Sequence, residues 1–152
     1  MRIAHRRLTT ALALSLICAA PRAANAACAE MSQAGASFTV CDYDARKTSI
    51  RLFLRDARGE AYGAFSRLAD DLSSKGQSLV FAMNAGMYGE DFSPVGLYVE
   101  AGKMSHAANT ANGAGNFHLK PNGVFWIDGG RAGVTETARF LRSGVRPAYA
   151  TQ

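Results

Sequence analysis

The chain has 152 residues, 48% of them hydrophobic and 19% charged, with a formal net charge of +5. That length suits one modest domain with its own core. Residues 1–26 carry four arginines and no acidic residue, so without them the count of Lys and Arg falls from 17 to 13 against 12 Asp and Glu. The net charge then drops to +1, and no basic stripe with interleaved aromatic residues is left. The high pI is therefore no sign of a nucleic-acid partner.

Residues 1–26 have the three regions of an export signal. A basic start with Arg2, Arg6 and Arg7 precedes an apolar run from residue 8 to 20, and Ala24-Asn25-Ala26 is a small-residue cleavage site. The apolar run is too short to cross about 30 Å of hydrocarbon, which needs about 20 residues. We predict a signal peptide at 1–26, and a periplasmic or secreted domain at 27–152 with no membrane partner after cleavage.

Two cysteines, Cys28 and Cys41, lie in the predicted mature domain. In an oxidising compartment such a pair predicts one disulfide, and two free buried thiols are the alternative. Zinc would need more ligands than these cysteines and the distant His106 and His118. We therefore predict no metal site and no cofactor.

The first half of the mature chain predicts strands and one helix. Ser37 to Cys41 and Ser49 to Arg55 are predicted strands, the second with alternating apolar residues at period two. Apolar residues recur at helical spacing from Phe65 to Leu72, and Gly76 is a suitable C-terminal cap. Ser78 to Met83 then predicts a fully apolar, buried strand.

The second half predicts further strands in hairpin order. They are Val95 to Glu100, a strand ending at His106, Gly123 to Ile127, Arg131 to Thr137, and one that begins at Tyr149 and leaves unpaired backbone along the sheet edge. A turn is predicted at Asp128-Gly129. Asn109 to Asn116 has no periodicity and predicts a surface loop. One main helix among many short strands favours an α+β fold with a twisted, largely antiparallel mixed sheet.

Two turns rich in Asn and Gly are the candidate ligand-binding elements. The run Phe81 to Tyr88 stops at Asn84-Ala85-Gly86, and Pro121-Asn122-Gly123 opens directly into a strand. Such turns present amide side chains and bare backbone, and the two could converge on one pocket. The alternative is that both are ordinary turns, because Asn and Gly tolerate positive φ.

The motifs exclude several catalytic classes. The chain has no G-x-S-x-G elbow, no H-E-x-x-H helix and no G-x-x-x-x-G-K-[ST] loop. Glycoside hydrolysis usually needs a pair of carboxyl groups. The candidates, among which no pair can be assigned from sequence, are Glu90, Asp91, Glu100, Asp128 and Glu136.

Four blocks carry a family resemblance: Phe81 to Tyr88, Pro94 to Val99, Pro121 to Phe125, and Tyr149 to Gln152. In this order they resemble the bacterial branch of the phosphodiester glycosidase family. Its animal relative uncovers mannose 6-phosphate by removing N-acetylglucosamine from a phosphodiester. The family's usual Asn-Gly-Gly-Phe-Phe stands here as Asn84-Ala85-Gly86-Met87-Tyr88, so one glycine is lost.

The resemblance implies an exported hydrolase that cleaves a sugar from a sugar-1-phosphodiester. The family continues with a Gly-Pro segment, an Arg-containing segment and an Asp-Gly-rich turn, so we expect 27–152 to be the N-terminal portion of an incomplete domain, inactive by itself. Because a phosphodiester already has a good leaving group, positioning and electrostatic stabilisation suit it, and we assign these to Asn84 and Gly86.

The expected partner is a carbohydrate or sugar phosphate. The residues expected to bind it are Tyr88, His118, Asn122 and Gly123. A lone surface histidine is the alternative for His118. The rival function is a secreted, non-catalytic module that binds carbohydrate or the cell envelope through the same loops.

Overall fold

The computed structural model describes residues 27–152. In chain order the elements are β1 (Ala27–Gln33), β2 (Ala36–Asp42), α1 (Phe65–Ser74), β3 (Tyr98–Glu100), β4 (Lys103–His106), a 3-10 turn (Asn116–His118), β5 (Gly123–Asp128), β6 (Arg131–Glu136), α2 (Thr137–Ser143) and β7 (Tyr149–Thr151). The mixture of helices and antiparallel strands confirms the α+β prediction.

Five of the strands form one sheet in the order β4-β3-β7-β5-β6, and every neighbouring pair is antiparallel. The strand at Tyr149 is confirmed, but its predicted position along an open edge is wrong. Strand β7 is the central strand, since Ala150 pairs with Val99 on one side and Trp126 on the other. The main buried cluster of this sheet comprises Leu97, Val99, Val124, Phe140 and Ala150.

Helix α1 confirms the predicted main helix. Its apolar stripe buries Leu68 and Leu72 against Tyr62. At its end the Gly76 amide donates to Ser73 O, and the Gln77 amide donates to Leu72 O, with Gly76 at φ 69°. This paired arrangement satisfies the last carbonyls of a helix and requires a left-handed residue, which explains the glycine.

Strands β1 and β2 form a separate two-stranded hairpin. Sequence analysis predicted the second strand and missed the first. Cys28 lies directly opposite Cys41 in the ladder, and the two form the predicted disulfide. Within residues 27–152 this hairpin makes no substantial contact with any other strand or helix.

Two predicted strands are wrong. Ser49 to Arg55 forms no strand, and its only ladder contact is an isolated bridge between Arg55 and Ala61. Leu52 is buried and Phe53 packs against the cluster around Tyr62, but no neighbouring backbone completes a ladder. Ser78 to Met83 is also irregular, and most of its side chains are exposed rather than buried: Val80 is 68% and Met83 69% exposed, whereas Leu79 packs against the cluster around Tyr62.

Smaller corrections concern the sheet and its turns. The predicted strand at Val95 begins only at Tyr98. The turn predicted at Asp128-Gly129 lies one residue later, because Asp128 still pairs with Arg131 and the two central residues are glycines at φ 52° and 73°. Strand β4 and the irregular loop at 109–115 follow the prediction. Sequence analysis missed α2.

The predicted signal peptide and its cleavage after Ala26 fall outside the described residues. Between residues 27 and 152, neither helix has the length and apolar character needed to cross a bilayer.

Candidate functional site

The end of β7 is joined to several other segments through the side chain of Gln152. The side chain of Gln152 accepts from the Asn109 amide at 2.9 Å and donates to Asn109 O at 2.9 Å. The same side chain accepts from the Leu97 amide at 3.3 Å and donates to Thr137 Oγ1 at 3.3 Å. One amide group therefore joins the loop after β4, the start of β3 and the start of α2.

Two glycines let the chain approach Gln152 closely. A Cβ added to Gly96 would lie 2.7 Å from Gln152 Oε1 and 2.8 Å from Phe117 Cζ. A Cβ on Gly86 would collide with Thr151 Oγ1 and lie 2.7 Å from Gln152 O. The loop containing Asn84 and Gly86 is thus packed, through bare backbone, against the end of β7.

The first loop presents its polar groups to solvent. Asn84 is exposed, and its Nδ2 donates to Tyr88 OH at 3.4 Å. The Tyr88 ring stacks on Phe92 with centroids 5.9 Å apart, and the Tyr88 backbone forms a bridge to Pro94. These contacts fix Tyr88, whereas the Asn84 amide keeps hydrogen-bonding capacity for a ligand.

The second loop, which contains Asn122, is stabilised by hydrogen bonds to neighbouring residues of the protein. Asn122 Nδ2 donates to Phe117 O at 3.2 Å, and Asn122 O accepts from the Thr137 amide at 3.0 Å and from Thr137 Oγ1 at 3.2 Å. Gly123 begins β5, and a Cβ there would lie 2.9 Å from Val134 Cγ1. Through these contacts Asn122 stabilises the loop, and Thr137 links Asn122 to Gln152.

His118 lies in the 3-10 turn between the two loops. Its Nδ1 is 3.1 Å from Ala111 O, and its ring packs edge-on against Phe117. A Cβ on Gly113 would lie 2.7 Å from His118 Cδ2, so this glycine admits the imidazole. His118 is half-buried and orders the loop at 109–115.

Three of the five candidate carboxyl groups are held by local hydrogen bonds. Asp91 accepts from the amide and the hydroxyl of Ser93, which holds the pKa of its carboxyl below the ordinary value. Glu136 accepts from two amides at the start of α2, and Glu100 accepts from Tyr98 OH. No three His, Cys, Asp or Glu side chains within 27–152 are grouped to hold a metal ion.

Sequence analysis missed the joining role of Gln152, Asn109 and Thr137. Gln152 lay inside a block of the family resemblance, and Asn109 began the predicted loop, but no local pattern indicated that they bond. Gln152 and Asn109 are 43 residues apart along the chain, so only the folded sheet brings them together.

No known family model matches the chain, and no solved structure matches it. A region of 94 residues, 62% of this chain, is 39% identical to the Escherichia coli K12 protein named "Uncharacterized protein YigE". The matched region spans 37% of that relative's length. The similarity therefore covers a minority of the relative, and its printed name assigns no activity.

Proposed function

We propose that this chain belongs to an exported hydrolase that cleaves a sugar from a sugar-1-phosphodiester. The observation that carries the proposal is that both resemblance-bearing loops are linked to the end of β7, the block that ends the resemblance, one directly and the other through Thr137. The Gly86 backbone reaches Gln152 directly, and Asn122 reaches it through Thr137. This places an exposed amide, Asn84, on a loop packed against β7.

The chemistry of the substrate fits such a site. A phosphate monoester is a good leaving group, so fixed hydrogen-bond donors and correct positioning contribute more than a strong general acid. The Asn84 amide and the backbone around Gly86 supply donors of this kind. Tyr88 is 49% exposed, and the part of its ring that does not stack on Phe92 offers a surface for a sugar ring.

Export is supported by the disulfide between Cys28 and Cys41, because such bonds persist in oxidising compartments. We propose a periplasmic or secreted location on that basis and on the signal pattern of residues 1–26.

A second candidate function is a non-catalytic carbohydrate-binding or envelope-interaction module. The observation that favours it is the engagement of Asp91, Glu100 and Glu136, three of the five candidate carboxyl groups, in local hydrogen bonds. Both candidates use the same loops, and turnover distinguishes them.

The test uses protein expressed through to the gene's natural stop codon and measures release of free sugar from an aryl sugar-1-phosphodiester. Asn84→Ala is expected to lower the rate on the order of 100-fold, since one preorganised donor is lost. Its melting temperature should not change, because Asn84 is exposed. Asn112→Ala, in the exposed loop at 109–115, is the matched control.

A wild-type rate for Asn84→Ala would make Asn84 a turn residue. Sugar binding without any turnover by the full-length protein would favour the second candidate. Residues 27–152 alone are expected to show no turnover, and activity comparable with the full-length protein would place the catalytic groups within this chain.

A further inference from the structure

A groove of about 360 Å³ opens on a different part of the molecule, between the β5-β6 hairpin and α2. Its walls come from Trp126, Val134, Phe140 and Val145, together with polar residues of β6 and α2. None of Asn84, His118, Asn122 or Gln152 lines it. The volume lies in the range of small-molecule sites.

The indole of Trp126 is held in place in this groove. Its Nε1 donates to Thr135 Oγ1 at 3.0 Å, so the ring keeps no unsatisfied donor. A Cβ on Gly133 would lie 2.9 Å from Trp126 Cζ2, and the glycine therefore lets the ring lie against β6. With Phe140 and Val145 this forms a rigid apolar surface that an apolar ring or chain can cover.

The polar groups of the groove are engaged, with one exception. The carboxylate of Glu136 accepts from the Ala138 and Arg139 amides at 3.0 and 2.8 Å, and these bonds hold its pKa below the ordinary value. The Ser143 hydroxyl donates to Phe140 O at 2.6 Å. The guanidinium of Arg139 forms no ion pair with a carboxylate of residues 27–152.

The surroundings add positive charge. Lys120 and Arg142 are close enough to Glu136 to help lower its pKa, so the single carboxylate of the groove is offset by two further cations. An apolar groove beside an uncommitted guanidinium complements a ligand with an apolar body and one negative charge.

We propose that this groove binds a small amphipathic carboxylate. The apolar body covers Trp126, Phe140 and Val145, and the carboxylate accepts from Arg139. The groove adjoins β5 and α2 but shares no lining residue with the proposed hydrolase site.

The chain's single tryptophan lies in the groove, so its emission reports occupancy directly. The probe is 4-phenylbutyrate, and the uncharged comparison is 4-phenylbutyramide, which has the same ring and linker. For a ligand of this size we expect a saturable change in Trp126 emission, with a dissociation constant on the order of 1 mM. The amide should bind about 3- to 10-fold more weakly, because it lacks the charge that Arg139 complements.

Arg139→Gln should weaken 4-phenylbutyrate about 3- to 10-fold and leave the amide unchanged. Arg131→Gln is the matched control, since it makes the same charge change at the far end of β6 and does not line the groove. Absence of a saturable change, equal affinity for acid and amide, or equal effects of the two Arg variants would each overturn the proposal. Both variants replace exposed residues, and unchanged melting temperatures establish that the fold is intact.

Discussion

Replacement of Gln152 by Leu tests whether this side chain joins the loop after β4, the backbone at Leu97 and the start of α2. The change keeps the approximate size of the side chain and removes all four of its hydrogen bonds. The backbone bond from the Gln152 amide to Leu97 O remains, so β7 keeps its register at this point. The loss is therefore confined to the bonds with Asn109, Leu97 and Thr137.

The magnitude follows from the geometry of the bonds. The two bonds to Asn109 at 2.9 Å are expected to contribute about 1 kcal/mol each, and the two at 3.3 Å about half as much. The free energy of unfolding should thus fall by about 3 kcal/mol. In a domain of this size that corresponds to a melting temperature lower by about 12 °C.

The assay is thermal unfolding followed by the emission of Trp126, which pairs with β7 through Ala150. Gln33→Leu is the control, because Gln33 is an exposed residue at the tip of the separate hairpin. Hydrogen exchange at the Asn109 amide should also accelerate in the Gln152 variant, since that amide loses its acceptor. Equal melting temperatures for the two Leu variants would refute the idea that the Gln152 side chain joins these three segments.

Three further predictions concern other parts of the chain. Intact mass of the protein from its native compartment should correspond to a start at Ala27, and retention of the first 26 residues would contradict export with cleavage. Replacing Cys28 and Cys41 by Ser should lower the stability of the β1-β2 hairpin by about 3 kcal/mol by the chain-entropy model. The stability of the sheet should not change, because the hairpin makes no substantial contact with the other described elements. Proteolysis in that hairpin should increase, while the melting temperature measured by Trp126 emission stays unchanged. A lower melting temperature would show that the hairpin is coupled to the sheet. The hydrogen bond to Asp71, followed by burial, raises the pKa of Tyr62 to about 12. Its contribution to stability is therefore fully present below about pH 10 and is lost between about pH 10 and 12. The free energy of unfolding of the wild-type protein should fall between about pH 9 and about pH 11, and this fall should be smaller in Tyr62→Phe. A fall of the same size in both proteins would mean that other groups cause the pH dependence.

Local signals predicted the elements that are stabilised locally. The helical spacing at Phe65 and the glycine at residue 76 predict α1 because its stripe and its cap lie within one segment. The short α2 has one buried apolar residue, Phe140, so periodicity was weak, although Glu136 and Gly144 mark its ends. A seven-residue helix is identified more readily by its caps than by its stripe.

Other features depend on contacts that a local pattern does not encode. The apolar run at Ser78 to Met83 predicts burial, but a strand also needs a neighbouring backbone, and none pairs with it within the described residues. The role of Gln152 depends on Asn109 and Leu97, which are 43 and 55 residues away. The blocks of the resemblance include both Gly86 and Gln152, and only the folded sheet shows that these residues lie close together.

The central position of β7 has a consequence for the order of folding. The β3-β4 and β5-β6 hairpins are each local, but they become one sheet only through Tyr149–Thr151. Until β7 is in place, each hairpin exposes the inner edge that β7 later occupies, and isolated hairpins are marginally stable. The folding chain is therefore most open to pairing with other chains before its last described strand docks.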